Sequence, residues 1–131
     1  MNSLRLKNVE AASSGTVANK YKDVNKINFP KTLALLRKHG VEEFAKSHYA
    51  DQLTQGQLIN ADLVVFMNRI AFNEGHLLCD LPVLTIIWDV TDIGEEGRIA
   101  KTEKERDAYS EDVYSDITNN VDALVDRLNQ V

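Results

Sequence analysis

Short apolar runs separate polar, turn-rich stretches along most of the chain, and the spacing changes to a helical one in the last third. Asp62-Leu63-Val64-Val65-Phe66-Met67 is a continuous apolar run, the pattern of a parallel strand covered on both faces. Val83 to Trp88 is a second such run, rich in β-branched residues, and predicts a second buried strand. Leu6 to Ala12 reads as a further short strand, followed by a turn at Ser13-Ser14-Gly15-Thr16. Residues 17–29 are polar and read as a loop, with Pro30 suited to the first turn of a helix over 31–38 and Gly40 as its stop. Short helices are expected over Gln55 to Asn60 and over 69–78. From Tyr109 through Val113, Ile117, Val121, Leu124 and Leu128 the apolar positions recur every three or four residues, widened by Tyr114 and Val125. That is one long amphipathic helix, with a capping box in Thr102-Glu103-Lys104-Glu105 at its start. Strands alternating with helices imply right-handed βαβ units, a mostly parallel sheet and a small three-layer α/β domain.

With 131 residues the chain fits a single domain, 1–131, with a core that needs no disulfides. A net charge of −5 argues against nucleic acid as the main partner, because phosphate contacts need clustered Lys and Arg. A single cysteine, Cys79, excludes an internal disulfide and fits a reducing compartment. Met1 to Lys7 lacks the apolar core of a secretory signal, and no apolar run approaches the ~20 residues that span a bilayer, so the expectation is a cytoplasmic chain without a membrane partner.

Two carboxylates, Asp89 and Asp92, follow the second strand in Trp88-Asp89-Val90-Thr91-Asp92-Ile93-Gly94, at a strand exit where α/β folds keep their chemistry. Several segments then resemble, in order, the low-molecular-weight protein tyrosine phosphatases and their arsenate-reductase-like relatives. Val9 to Thr16 is similar to that family's strand ending in S-A-G-T. Leu36-Arg37-Lys38-His39-Gly40-Val41 resembles the helix end L-x-x-x-G-I, and Gln52-Leu53-Thr54 the Q-L-T that follows. Ala61 to Met67 resembles A-D-L-I-L-x-M, and Trp88 to Asp92 resembles W-D-I-P-D. The resemblance covers nearly the whole chain and implies a phosphotyrosine phosphatase I-like fold, a parallel four-stranded sheet with helices on both faces. It also implies a general-acid role for Asp92 and a bracing role for Ser13 and Thr16 around a phosphate loop.

The departure lies in the catalytic loop. The family carries C-x5-R after a central N-terminal strand, and no such motif occurs in these residues: Cys79 is followed six positions later by Thr85. The chemistry needs a low-pKa thiolate, a ring of backbone N–H donors and a bidentate arginine. The prolines flanking the family's acid are replaced by Thr91 and Ile93. Asp92 is thus either an acid without its nucleophile or a solvated turn residue, and Ser13 and Thr16 are either braces or local turn hydroxyls. Removing a central strand leaves unpaired backbone groups, and three outcomes are open: the remaining strands close the gap, a homodimer or other protein pairs with the exposed edge, or the natural protein is longer.

Other chemistry is thin. His76 and Cys79 form an H-x-x-C pair with no second pair at ligand spacing, so no metal and no cofactor is expected. Cys79 reads as buried between Leu77, Leu78 and Leu81, and His76 as a surface histidine. Gly94-Glu95-Glu96-Gly97 is doubly acidic and unsuited to phosphate. Lys20, Lys22 and Lys26 read as a solvated cluster. The sequence therefore predicts a phosphatase-like protein that is non-catalytic and acts by association, or else part of an active phosphatase or arsenate reductase whose strand and loop lie elsewhere.

Overall fold

The computed structural model describes residues 9–45, 51–78, 80–81 and 84–130. Its elements are α1 (Lys22–Lys38), a single 3-10 turn (Glu42–Phe44), α2 (Gln55–Asn60), β1 (Leu63–Phe66), α3 (Arg69–Gly75), β2 (Leu84–Ile87) and α4 (Glu103–Asn129). β1 and β2 pair in parallel, Leu63 with Leu84 through Phe66 with Ile87, and α3 forms the crossover between them. A small α/β unit of helices around a short parallel sheet is therefore observed.

Both apolar runs became strands because each is bounded by residues that leave the ladder. Asn68 caps α3 directly after β1, its side-chain oxygen accepting the Ala71 N–H at 2.9 Å. β2 continues past its last residue into two further bonds, Trp88 N–H to the Phe66 carbonyl and Val90 N–H to the Met67 carbonyl. The expected strand over residues 9–12 is not formed; only an isolated parallel bridge joins Gly15 to Gln52. Positions 6–8 of that expectation, and Val83, lie outside the described residues.

The N-terminal half of α1 corrects the sequence reading. Residues 22–29 are helical, not a loop, and Pro30 sits in the middle of α1 rather than in its first turn. Proline there removes a single intrahelical donor, and the helix continues through it on the strength of its other bonds. The segment hid from periodicity because it packs little: Val24 and Ile27 are exposed, so no apolar stripe marks it. Its C-terminus follows expectation. Gly40 takes φ +72°, and Gly40 N–H bonds the Arg37 carbonyl while Val41 N–H bonds the Leu36 carbonyl, the paired arrangement of a Schellman ending.

The buried apolar side chains among the described residues are Ala18, Leu58, Phe66, Val90 and Leu124. Phe66 meets Phe72 edge-on at 5.5 Å and closes over α3 at Gly75, where a Cβ would lie 2.5 Å from the Phe66 ring. Leu124 is the buried member of the α4 stripe, and the stripe's other positions are half-buried. One expectation of burial fails. Leu84, expected between the strands' faces, is 68% exposed. Leu77 is 77% exposed. Cys79 itself lies outside the described residues, but the Leu77 and Leu78 flanks that suggested its burial face solvent.

Candidate functional site

Asp89 and Asp92 lie at the carboxyl ends of β1 and β2, in the loop that leaves β2. Asn68 is the joint of this end. Besides capping α3, its amide donates to the Val90 carbonyl at 3.0 Å and to Glu95 Oε1 at 3.1 Å. One side chain thus ties the exit of β1 to the loop that follows β2. The loop itself is a tight turn: Glu95 N–H bonds the Asp92 carbonyl, Arg98 N–H the Glu95 carbonyl and Gly94 N–H the Arg98 carbonyl. Gly94 at φ +95° and Gly97 at φ +90° supply backbone angles that other residues rarely adopt.

Arg98 fastens the turn to α4. Its guanidinium donates to the Thr91 carbonyl and pairs with Asp116 Oδ2 at 2.7 Å, with only 17% of its side chain exposed. Asp92 is exposed, and its Oδ1 accepts the N–H of Ile93 at 2.7 Å. Asp89 is exposed at the strand exit. A carboxylate in Asp92's position caps its own turn. The cation carried by this loop, Arg98, is spent on Asp116 and on backbone, so it presents no guanidinium to an incoming anion.

Ser13 and Thr16 lie on a different support. Ser13 is exposed, while its neighbour Ser14 donates to Gln57 Oε1 at 3.0 Å. Thr16 Oγ1 donates to Glu74 Oε2 at 2.5 Å, and the Thr16 carbonyl accepts from Gln52 Nε2 at 2.7 Å. Gly15 completes the attachment, its N–H on the Asp51 carbonyl and its carbonyl taking the Leu53 N–H. Gln57 also closes a capping box with Thr54 at the start of α2. The two predicted groups therefore attach to opposite ends of α3. Asn68 holds the Asp92 loop at its first turn, and Glu74 holds Thr16 near its last, a separation of about 9 Å along the helix axis. The contacts do not bring Asp92 and Thr16 together.

Asn68, Glu74 and Arg98 have no part in the sequence reading, and Gln52 enters it only within Gln52-Leu53-Thr54 with no contact assigned. Asn68 alone carried a local signal, a capping residue between an apolar run and a helix. The other three act through partners 18 to 58 positions away, which no local pattern reveals.

His76 closes α3, stacked on Phe72 at 5.0 Å with Nδ1 2.9 Å from the Phe72 carbonyl. Among the described residues no group of three or more His, Cys, Asp or Glu is placed to hold a metal ion. No described helix is long and apolar enough to cross a membrane. An open groove of about 210 Å³ lies between β2 and α4, lined by Ile86, Trp88, Asn120, Ala123, Leu124 and Arg127. No protein-family model, no curated protein and no solved structure matches the chain.

Proposed function

We propose that this chain is a phosphatase-like α/β unit that works by association rather than by catalysis, with the free edge of β1 as its contact. The observation that carries this reading is the one-sided pairing of β1 among the described residues. Phe66 turns its carbonyl toward β2, where Trp88 N–H bonds it at 2.8 Å. In a parallel ladder alternate residues aim their backbone groups at opposite edges, so Val64 and Phe66 serve β2 while Leu63 and Val65 face away from it. No described residue pairs with that second edge. An apolar strand with a row of unpaired donors and acceptors is a template for another strand.

The site chemistry supports the same reading. The Asp92 carboxylate is engaged by its own turn, Arg98 is committed, and the sequence contains no C-x5-R. The enzyme reading draws on the same free edge, which suits a strand and catalytic loop supplied from outside these residues. Assay of the purified chain against an aryl phosphate separates the two. The association reading expects no turnover above a buffer blank; turnover lost on Asp92→Asn would establish the enzyme. Amide exchange at Val65 that slows as protein concentration rises is the positive sign of edge pairing.

A further inference from the structure

We infer that the open groove between β2 and α4 binds a small aromatic carboxylate, held between Trp88 and Arg127. The groove follows from the periods of its two walls. Ile86 and Trp88 are two residues apart and so share one face of β2 and its extension. Ala123, Leu124 and Arg127 lie three, four and seven positions after Asn120, so the four form one stripe of α4. The backbone of Trp88 is fixed, its N–H on the Phe66 carbonyl at 2.8 Å. Ala123 is the smallest side chain of the lining and leaves room opposite the strand. The helix covers this face of β2 incompletely: Leu84, two residues before Ile86, is exposed.

The lining selects its occupant by charge. Arg127 is the single charged residue in it. Arg37 and Arg98 are each paired with a carboxylate, whereas the Arg127 guanidinium makes no hydrogen bond or ion pair among the described residues. No carboxylate lines the groove, so an anion bound there meets a cation and no opposing negative charge in the wall. A guanidinium offers two parallel N–H donors, the match for one carboxylate. With one cation present, the groove suits a monoanion rather than a phosphate dianion. Asn120 is held in orientation by its own bond, Nδ2 to the Asp116 carbonyl at 2.8 Å.

Size and lining set the rest of the ligand. The groove's 210 Å³ lies below the ~300 Å³ at which sites for drug-sized ligands begin, so the occupant carries one ring. The half-buried Trp88 indole offers that ring an aromatic contact, and Ile86 with the buried Leu124 supplies the remaining apolar wall. One ring with a carboxylate on a short arm meets both demands, the ring against Trp88 and the charge at Arg127. The lining includes no residue of β1 and neither Asp92 nor Arg98, so this site stands apart from the association reading.

Trp88 is the chain's only tryptophan, so its fluorescence and its indole N–H resonance report on the groove directly. Titration of the purified chain with phenylacetate is expected to change both saturably. Phenylacetamide, the same shape without the charge, should bind about tenfold more weakly or worse. Arg127→Gln should bring phenylacetate down to the affinity of the amide, and Arg127→Lys should restore part of the difference, a rescue that a merely structural role does not give. Ala123→Leu places a good helix former at an exposed helix position and should fill the groove, abolishing binding of both probes while circular dichroism stays unchanged. Equal affinity for acid and amide overturns the proposal, because charge then selects nothing. A saturable response that survives both Arg127→Gln and Ala123→Leu overturns the site, and no saturable response to phenylacetate overturns the proposal outright. All titrations are read at one fixed protein concentration, so their failure is distinct from failure of the β1-edge reading.

Discussion

His39 lies flat on Tyr114, ring centroids 3.9 Å apart and planes 15° from parallel, and so joins the end of α1 to the middle of α4. Glu111, one turn earlier on α4, completes the contact: His39 Nε2 stands 2.7 Å from its Oε2, and Lys38 Nζ stands 2.8 Å from its Oε1. Lys31 and Glu103 make a second pair at 3.2 Å, so α1 and α4 advance in the same direction with matched charges. This polar seam is one attachment of α1 to the rest of the molecule.

The seam predicts an acid-sensitive attachment of α1. The hydrogen bond from Lys38, and next that from His39, hold the Glu111 carboxyl below its ordinary value of 4.5. A depressed folded-state value means that the stabilisation is complete above the unfolded value and is lost as pH falls through the folded one. Thermal unfolding followed from pH 7 to 3 should show this loss, and Glu111→Gln should flatten that part of the profile. Arg37 and Glu42 form a two-point pair at 2.8 and 2.9 Å that also lowers Glu42, so the double variant with Glu42→Gln should be flatter still.

Gly75→Ala should destabilise the fold although alanine is the better helix former. Replacing glycine in a helix normally gains up to about 1 kcal/mol. Here the new Cβ would sit 2.5 Å from Cε1 of a 4% exposed Phe66 whose ring is pinned by Phe72. Overpacking of this kind costs about 1–3 kcal/mol. Urea unfolding should give a net loss, and the loss should shrink in a Phe66→Leu background because the two sites touch.

Asn68 has two jobs that one substitution separates. Asn68→Ala removes the α3 cap and both tethers to the Asp92 loop, and should cost about 1–2 kcal/mol from the cap alone. Asn68→Asp keeps an oxygen for the Ala71 N–H but loses the donors to Val90 and faces Glu95 with a like charge. It should therefore destabilise despite preserving the cap, and the deficit should be smaller in Glu95→Gln, read by denaturant titration.

The loop after β2 should depend on Arg98 and not on Asp92. Arg98→Ala leaves the Thr91 carbonyl and the half-buried Asp116 without their charged partner, a loss of about 1.5–3 kcal/mol. Asp92→Ala removes one exposed contact to a neighbouring N–H and should stay within about 1 kcal/mol of the parent. Equal losses for both would mean that the Asp92 carboxylate is structural.

Sequence alone determined those elements whose signals are local. Gln55–Asn60, both strands and α4 with its Thr102 cap follow from periodicity and from residues within one turn of each other. Even there a detail moved: Glu105 reaches the N–H of Lys101, one residue before the capping threonine. Tertiary structure decided the rest. Residues 22–29 are helical without an apolar stripe to announce it, because Val24 and Ile27 stay in solvent. Leu84 reads as core yet faces outward, since an apolar run states what can be buried and not whether anything covers it. The attachment of Thr16 to Glu74 and of Arg98 to Asp116 pairs residues 58 and 18 positions apart. Such pairs exist only once β1, α3 and α4 have brought their ends together, and that assembly is set by packing across the whole molecule, not by any stretch of the chain.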